Sequence, residues 1–339
     1  MNSARTCLTA LLLGATLFIA GCEAPPPATD QRGYRGQSMG NVANPRTLEA
    51  REAANQPPEV QPPGDPTGPR VSTIYQNVKV LGDLSETEFL RVMASMTEWV
   101  APQEASCGYC HNLENMADES KYQYRVARQM LIMTRSLNTT WSSHVGQTGV
   151  TCYTCHRGQP QPQYTFKQDS GPMGAGGTTA SRQGQNVAGR LVGLTSLPTD
   201  PFTELLAYTG QIRAVSTTVL PAGNTRTIQD TERTYGLMIH MSEGLGVNCT
   251  FCHNSNNFGS WSSSPPQRAT AYHGIRMVRD ININHIAPLL PIQPPERLGP
   301  EGDNAKVFCT TCHQQQPKPM NGAPMLEHYP ELGAVRPAP

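Results

Sequence analysis

The sequence predicts a mainly α fold with extensive loop, built as two halves related by a pseudo-twofold axis, with minor β structure in the segment connecting them. Three observations lead there. Hydrophobic residues make up 37% of the 339 residues, aromatics 6%, and Gly and Pro number 30 each, so core-forming side chains are thinly spread along a heavily punctuated chain. The apolar residues that are present fall into short stripes at helical spacing. The second half of the chain also repeats motifs of the first.

Residues 1–21 open with Met-Asn-Ser-Ala-Arg and continue as a mostly apolar run of 13 residues over 8–20. A single early Arg and so short a run fit a secretory signal, because a membrane-spanning helix needs about 20 apolar residues. Ile19-Ala20-Gly21-Cys22 has the form of a bacterial lipobox. There Cys22 is acylated, becomes the mature N-terminus and anchors the protein to a membrane without spanning it. Residues 22–70, dense in Pro and Gly and with little periodicity, read as an extended strap, either disordered or ordered by a partner surface.

In 71–162, the first module, Ser85-x-x-Glu88 is a capping box opening a helix with Phe89, Met93, Met96 and Val100 on one face. Val126, Met130, Met133 and Leu137 make a second stripe. Residues 163–230 are a connecting segment rich in Gly, Thr and Pro, with short strands expected around 215–220. In 231–320, the second module, Tyr235, Met238, Met241 and Leu245 form a stripe closed by Gly246. Ser264-Pro265-Pro266-Gln267 reads as another capping box, ahead of a helix to about residue 282. Residues 321–339 are a C-terminal tail.

Eight of the ten Cys form four C-x-x-C pairs: Cys107 and Cys110, Cys152 and Cys155, Cys249 and Cys252, Cys309 and Cys312. Each pair is followed at once by His, namely His111, His156, His253 and His313. Disulfides, zinc knuckles and thioredoxin-type pairs do not require that His. With 9 His in the whole chain, four successive coincidences are not chance, and C-x-x-C-H is the signature of c-type haem attachment. The spacing has a chemical reason: two thiols add to the vinyl groups on one porphyrin edge, and the adjacent imidazole is held under the iron as proximal ligand. Four covalently bound haem c groups follow. Cys22 belongs to the lipobox and Cys7 to the leader, so no pair remains for a disulfide.

The motifs sit inside longer self-similarity. Met93-x-x-Met96-Thr97-Glu98 recurs as Met238-x-x-Met241-Ser242-Glu243, and Cys107-Gly-Tyr-Cys110-His111-Asn112 as Cys249-Thr-Phe-Cys252-His253-Asn254. Met133-x-Arg135-x-x-Asn138 recurs as Met277-x-Arg279-x-x-Asn282, and Val150-x-Cys152-x-Thr154 as Val307-x-Cys309-x-Thr311. Offsets of 145, 142, 144 and 157 keep the order and leave about 13 extra residues before the last motif of the second copy. Each half is therefore a two-haem module.

Each haem needs a distal ligand, and the repeat preserves Met positions. Met at i and i+3 share a helix face, so periodicity separates neither Met93 from Met96 nor Met238 from Met241. Met130 aligns with Gly274, which has no side chain to offer. The fourth haem must then draw on Met277, His240, His273, His285 or a His of the first half, and His144 is such a candidate.

At this point the chain resembles the tetrahaem cytochrome subunits of purple-bacterial photosynthetic reaction centres. The resemblance rests on Tyr-Gln-Asn-Val-Lys-Val-Leu-Gly (75–82), Thr-Glu-Trp-Val-Ala-Pro-Gln-Glu (97–104), Gln-Thr-Gly-Val-Thr-Cys-Tyr-Thr-Cys-His-Arg-Gly (147–158), Asn-Cys-Thr-Phe-Cys-His-Asn (248–254) and Gly-Ile-Arg-Met-Val-Arg-Asp (274–280). It covers nearly all of 70–335 and the lipobox, although 161–230 matches poorly and Ala105-Ser106 adds a residue between Met93 and Cys107. It implies Met93, Met130 and Met238 as distal ligands of the first three haems, and His144 as distal ligand of the haem held by Cys309 and Cys312. It further implies a place on the periplasmic face of the reaction-centre L and M subunits and re-reduction of the photo-oxidised bacteriochlorophyll pair. A soluble cytochrome c or high-potential iron–sulfur protein would be the donor.

Four six-coordinate irons leave no open position for a substrate, which argues for an electron-transfer protein rather than an enzyme. A general periplasmic carrier with all-His ligation would need distal His from among His144, His240, His273, His285 and His328, and leaves the Met repeat unexplained. A multihaem reductase would need a five-coordinate haem. The balance of 26 basic against 26 acidic residues argues against a nucleic-acid partner. Residues 83–119 hold Asp83, Glu86, Glu88, Glu98, Glu104, Glu114, Asp118 and Glu119 against Arg91 alone, whereas 121–157 hold five bases and no acid. That asymmetry predicts docking of a basic soluble cytochrome near the first haem.

Overall fold

Short helices strung on long loops carry most of the ordered backbone. The computed structural model describes residues 25–31, 39–169, 197–198, 200–214 and 225–336. The leader with Cys22 and the stretch 215–220 lie outside the described residues. The longer helices and the two motif-bearing turns are α1 (Pro45–Ala54), α2 (Glu86–Val100), α3 (Tyr122–Thr140), α4 (Cys152–His156), α5 (Ile228–Leu245), α6 (Gln267–Asp280) and α7 (Cys309–His313). Among the described residues no helix is long and apolar enough to cross a membrane.

The capping box opens α2 as expected: Ser85 Oγ accepts from the Glu88 N–H, and Glu88 Oε2 accepts from the Ser85 N–H at 3.0 Å. The fully buried face of α2 is not the predicted stripe but the adjoining one, with Glu88, Arg91, Val92, Ser95 and Trp99. Phe89, Met93, Met96 and Val100 are half-buried beside it. The same offset appears in α5, where Leu237, His240 and Gly244 are buried, Met238 and Met241 half-buried, and Tyr235 exposed. Gly246 ends α5 at φ 66, a left-handed conformation that costs glycine nothing.

Ser264 does not cap α6. Its hydroxyl donates to the Ser260 carbonyl at 2.6 Å instead, and the helix starts at Gln267 with Pro266 at the cap position. Beyond Asp280 the chain continues through wider and tighter turns, Ile281–Ile286 and Ala287–Leu289.

One reading changes in 22–70. The described strands, β1 (Ala28–Gln31) and β2 (Gly40–Ala43), form an antiparallel hairpin in the strap, not in the connector. The described β contact of the connector is a single bridge between Phe166 and Lys306. Nor is the strap uniformly extended, since it holds α1. Asn44 caps α1 by accepting from the Arg46 N–H, with Pro45 in the first turn. None of the α1 side chains is buried, so the helix carries no apolar stripe. Polar bonds fasten it instead: Arg51 donates to Gln315 Oε1 and the Gly246 carbonyl, and Asn55 to the Gln314 carbonyl at 3.0 Å.

Two apolar clusters hold the body together. One joins Leu81, Leu84, Val92, Trp99 and Leu131 to the C-terminal residues Met320, Met325, Tyr329 and Leu332. The other joins Leu137, Val150, Leu237, Val278 and Phe308 to connector residues Phe202, Leu205 and Leu206. The tail is locked on by Arg91, which pairs with Glu331 at 2.8 Å and donates to the Gln61 and His328 carbonyls. Both side chains are nearly inaccessible to water, so removing one partner alone would cost about 3–5 kcal/mol.

Candidate haem-binding sites

The residues before each even-numbered motif are held by the part of the repeat that had no assigned role. Asn138 donates from Nδ2 to the Val150 carbonyl at 2.9 Å and accepts from the Val150 N–H at 2.7 Å. Asn282 does the same to Val307, both at 2.9 Å. Thr154 and Thr311 accept from the backbone N–H of Thr151 and Phe308, closing the first turn of α4 and α7. Arg135 donates to the Glu331 carbonyl and Arg279 to the Leu205 carbonyl, while Asn138 and Asn282 also reach the carbonyls of Leu332 and Leu206. Every paired Arg and Asn of the repeat thus performs the same local task twice.

The four motif histidines share one orientation. His111 Nδ1 donates to the Met116 carbonyl at 2.9 Å, His156 to Gln159 at 2.8 Å, His253 to Phe258 at 3.0 Å and His313 to Gln316 at 3.0 Å. Spending Nδ1–H on a carbonyl fixes the tautomer and leaves the Nε2 lone pair for a metal. Burial pushes the pKa of His156 and His253 down and that of His313 to about 4, keeping these rings neutral.

A fifth imidazole has the same habit. His144, on the turn Ser142–Val145 that follows α3, donates from Nδ1 to the Thr270 carbonyl of α6 at 2.9 Å. Its ring centroid lies 6.0 Å from that of His313. Trp141 ties this turn to α6 through Nε1 and Asp280 Oδ2 at 2.8 Å. Gly274 faces the imidazole, and a Cβ there would lie 2.5 Å from His144 Cε1. The gap in the repeat at Gly274 is therefore space taken by the first half's histidine.

The other candidates behave differently. His240 stacks on Phe308 at 4.2 Å inside an aromatic cluster, and burial pushes its pKa to about 4. His285 Nδ1 pairs with Gln129 Nε2 at 3.3 Å. Met277 is buried in the core formed with Leu137 and Leu237.

One cleft, partly open to solvent, is lined by Cys152, Cys155, His156 and Met130, with Val126, Met133 and Val150 among its apolar walls. Met96 and Cys110 also line it, and Met93 does not. The Sγ atoms of Cys155 and Cys312 approach to 2.9 Å. The donor set therefore fits haem c: paired thiols beside a neutral imidazole with Nε2 free, a thioether across an apolar cleft, and a glycine cradle under the fifth histidine.

The predicted charge segregation is partly cancelled in space. Asp83 pairs with Arg135 at 2.8 Å, Glu119 with Arg128, and Glu88 is buried against Arg336. Glu86, Glu98, Glu104 and Glu114 remain exposed, as do Leu113 and Met116, which flank Glu114 in the segment after His111.

A family model described as "Photosynthetic reaction centre cytochrome C subunit" matches residues 23–333. The chain is 52% identical to the photosynthetic reaction center cytochrome c subunit of Rubrivivax gelatinosus, over 96% of this chain and 88% of that one. It is 46% identical to the subunit of the same name from Thermochromatium tepidum, covering 96% and 80% of the two chains. With that of Roseobacter denitrificans the identity is 37%, over 96% and 90%.

Proposed function

The chain belongs to the family of photosynthetic reaction centre cytochrome c subunits, and on that premise we propose that it carries four covalently bound haem c groups and delivers electrons to the photo-oxidised bacteriochlorophyll pair of the L and M subunits. It is an electron-transfer protein, not an enzyme. Bound haem supplies one-electron exchange at its iron, while ligation, spacing and exclusion of water come from the chain.

In this reading the eight motif cysteines form the thioether links. His111, His156, His253 and His313 ligate from one side, and Met93, Met130, Met238 and His144 from the other. The observation that carries it is the orientation shared by five imidazoles: four follow a C-x-x-C pair, and the fifth, His144, faces His313. Met96 faces the second site, which favours Met93 for the first. The twice-made Asn–Val and Arg–carbonyl bonds support two pseudo-twofold-related halves.

Contacts between sites favour the spatial order first, second, fourth, third. Cys110 and Cys152 line one cleft, Cys155 meets Cys312, and α5, which bears Met238, packs on α7 through the Gln315 N–H and Gly244 carbonyl at 2.8 Å. A thioether ligand raises the potential relative to imidazole, so the His144 site is the low step of the row. Acylated Cys22 would hold the subunit on the periplasmic side of the photosynthetic membrane. A soluble cytochrome c or high-potential iron–sulfur protein would dock beside His111, where Leu113 and Met116 are exposed.

Solubilised membranes test this. The chain should co-purify with bacteriochlorophyll-containing subunits at four haems per chain, and its haems should oxidise after a flash. Isolation free of bacteriochlorophyll with uniformly low potentials would instead mark a general carrier.

A further inference from the structure

The extra residues of the second copy, between Asn282 and Val307, have no counterpart in the first half. They extend α6 through Leu289 and end in the turn Pro295–Arg297 and the segment after it. This stretch closes a site of the other half: Ile286, Leu289, Gln293, Arg297 and Asn304 form one wall of the cleft that holds Cys152, Cys155, His156 and Met130.

Arg297 is the one permanently charged side chain in that lining. Its Nη1 donates to Gln161 Oε1 at 3.2 Å, and the Tyr109 hydroxyl lies within its field. Among the described residues no carboxylate pairs with it. Gln161 and Tyr109 meet the guanidinium, and Gln293 lines the same cleft, one helical turn before Arg297 in sequence. A guanidinium left half-buried beside apolar walls is costly unless an anion meets it, and its planar fork suits a carboxylate.

Resting on the haem reading above, we propose that Arg297 is the counter-cation for the carboxylate edge of the second haem and holds that haem's reduction potential up. A fixed positive charge favours the reduced iron, which carries one positive charge fewer than the oxidised one. The second half thereby sets the potential of a haem attached to the first.

Spectroelectrochemical titration of the full-length holoprotein tests this in R297Q, R297K and Q293K, with M130H marking which haem is the second. R297Q should retain four haems and shift the reduction equilibrium of the marked haem about tenfold toward oxidation, 59 mV for a one-electron couple. R297K should keep most of the wild-type potential, and Q293K should raise the same haem alone. Unchanged potentials in R297Q, or equal shifts in R297Q and R297K, would overturn the assignment and leave a packing role. A Q293K that moves a different haem, or none, would overturn it even if R297Q failed to assemble. C152A/C155A should lose one haem; if it does not, the haem reading itself falls, independently of Arg297.

Discussion

His144 and Gly274, 130 positions apart in the sequence, occupy one space: a Cβ on Gly274 would lie 2.5 Å from the imidazole Cε1. Ala at position 274 gains up to about 1 kcal/mol of helix propensity over Gly, yet it must push the ring off the fourth site. G274A should therefore leave thermal stability nearly unchanged while altering the spectrum and potential of one haem, the same one altered in H144L. A G274A protein with four unperturbed haems would show that His144 is not held there for ligation.

Asn138 and Asn282 make matched predictions. Each satisfies both the N–H and the carbonyl of the Val two residues before a C-x-x-C pair. Replacing either by Ala strands two polar groups on a buried Val, at about 1–3 kcal/mol. N138A should lower occupancy at Cys152 and Cys155, and N282A at Cys309 and Cys312, as read by mass spectrometry of haem-bearing peptides. Equal loss at all four sites would instead indicate global destabilisation.

Acid sensitivity should trace in part to Asp83. Burial alone would raise its carboxyl, but bonds from the Arg135 guanidinium and the Arg336 N–H outweigh this and hold it below the ordinary value of 3.8. A depressed folded pKa contributes stability that is present above the unfolded pKa and lost as pH falls through the folded one. D83N should be less stable than wild type at pH 7, and the difference should shrink as pH drops below about 3.9. Denaturant titrations at both ends of that window check the sign.

Charge reversal should be confined to carboxylates that face solvent. E104K/E114K should slow bimolecular reduction by a basic donor and flatten its salt dependence, because surface charge acts mainly on association rate. Unchanged stopped-flow rates at low ionic strength would move the docking surface elsewhere. Asp83 and Glu88 are unsuitable for that test, since both are committed to internal pairs.

The proposed attachment sites are legible in the sequence because covalent haem attachment needs residues at fixed spacing. The repeat was legible because Met, Arg and Asn recur in order. The partners of Arg135, Arg279, Asn138 and Asn282 were not, since they are carbonyls of Glu331, Leu205, Leu332 and Leu206, and a backbone carbonyl leaves no mark on sequence. Helix α1 was missed for a related reason. Arg51 and Asn55 dock it through polar bonds, so no apolar period was there to find. Met-bearing faces were read as buried stripes because helical period cannot distinguish a face packed on protein from one bordering a cofactor cleft.

His144 lies in the first copy of the repeat and is held by the Thr270 carbonyl of the second, whereas the wall carrying Arg297 lies in the second copy and lines the cleft of Cys152 and Cys155. The first copy thus lends an imidazole forward and receives a wall in return. A fragment ending at residue 162 would carry both of its C-x-x-C-H motifs yet lack the wall of Ile286, Leu289, Gln293 and Arg297. Such reciprocal contacts bind the two copies of the repeat together, since neither can be removed without opening a cleft or freeing a side chain in the other.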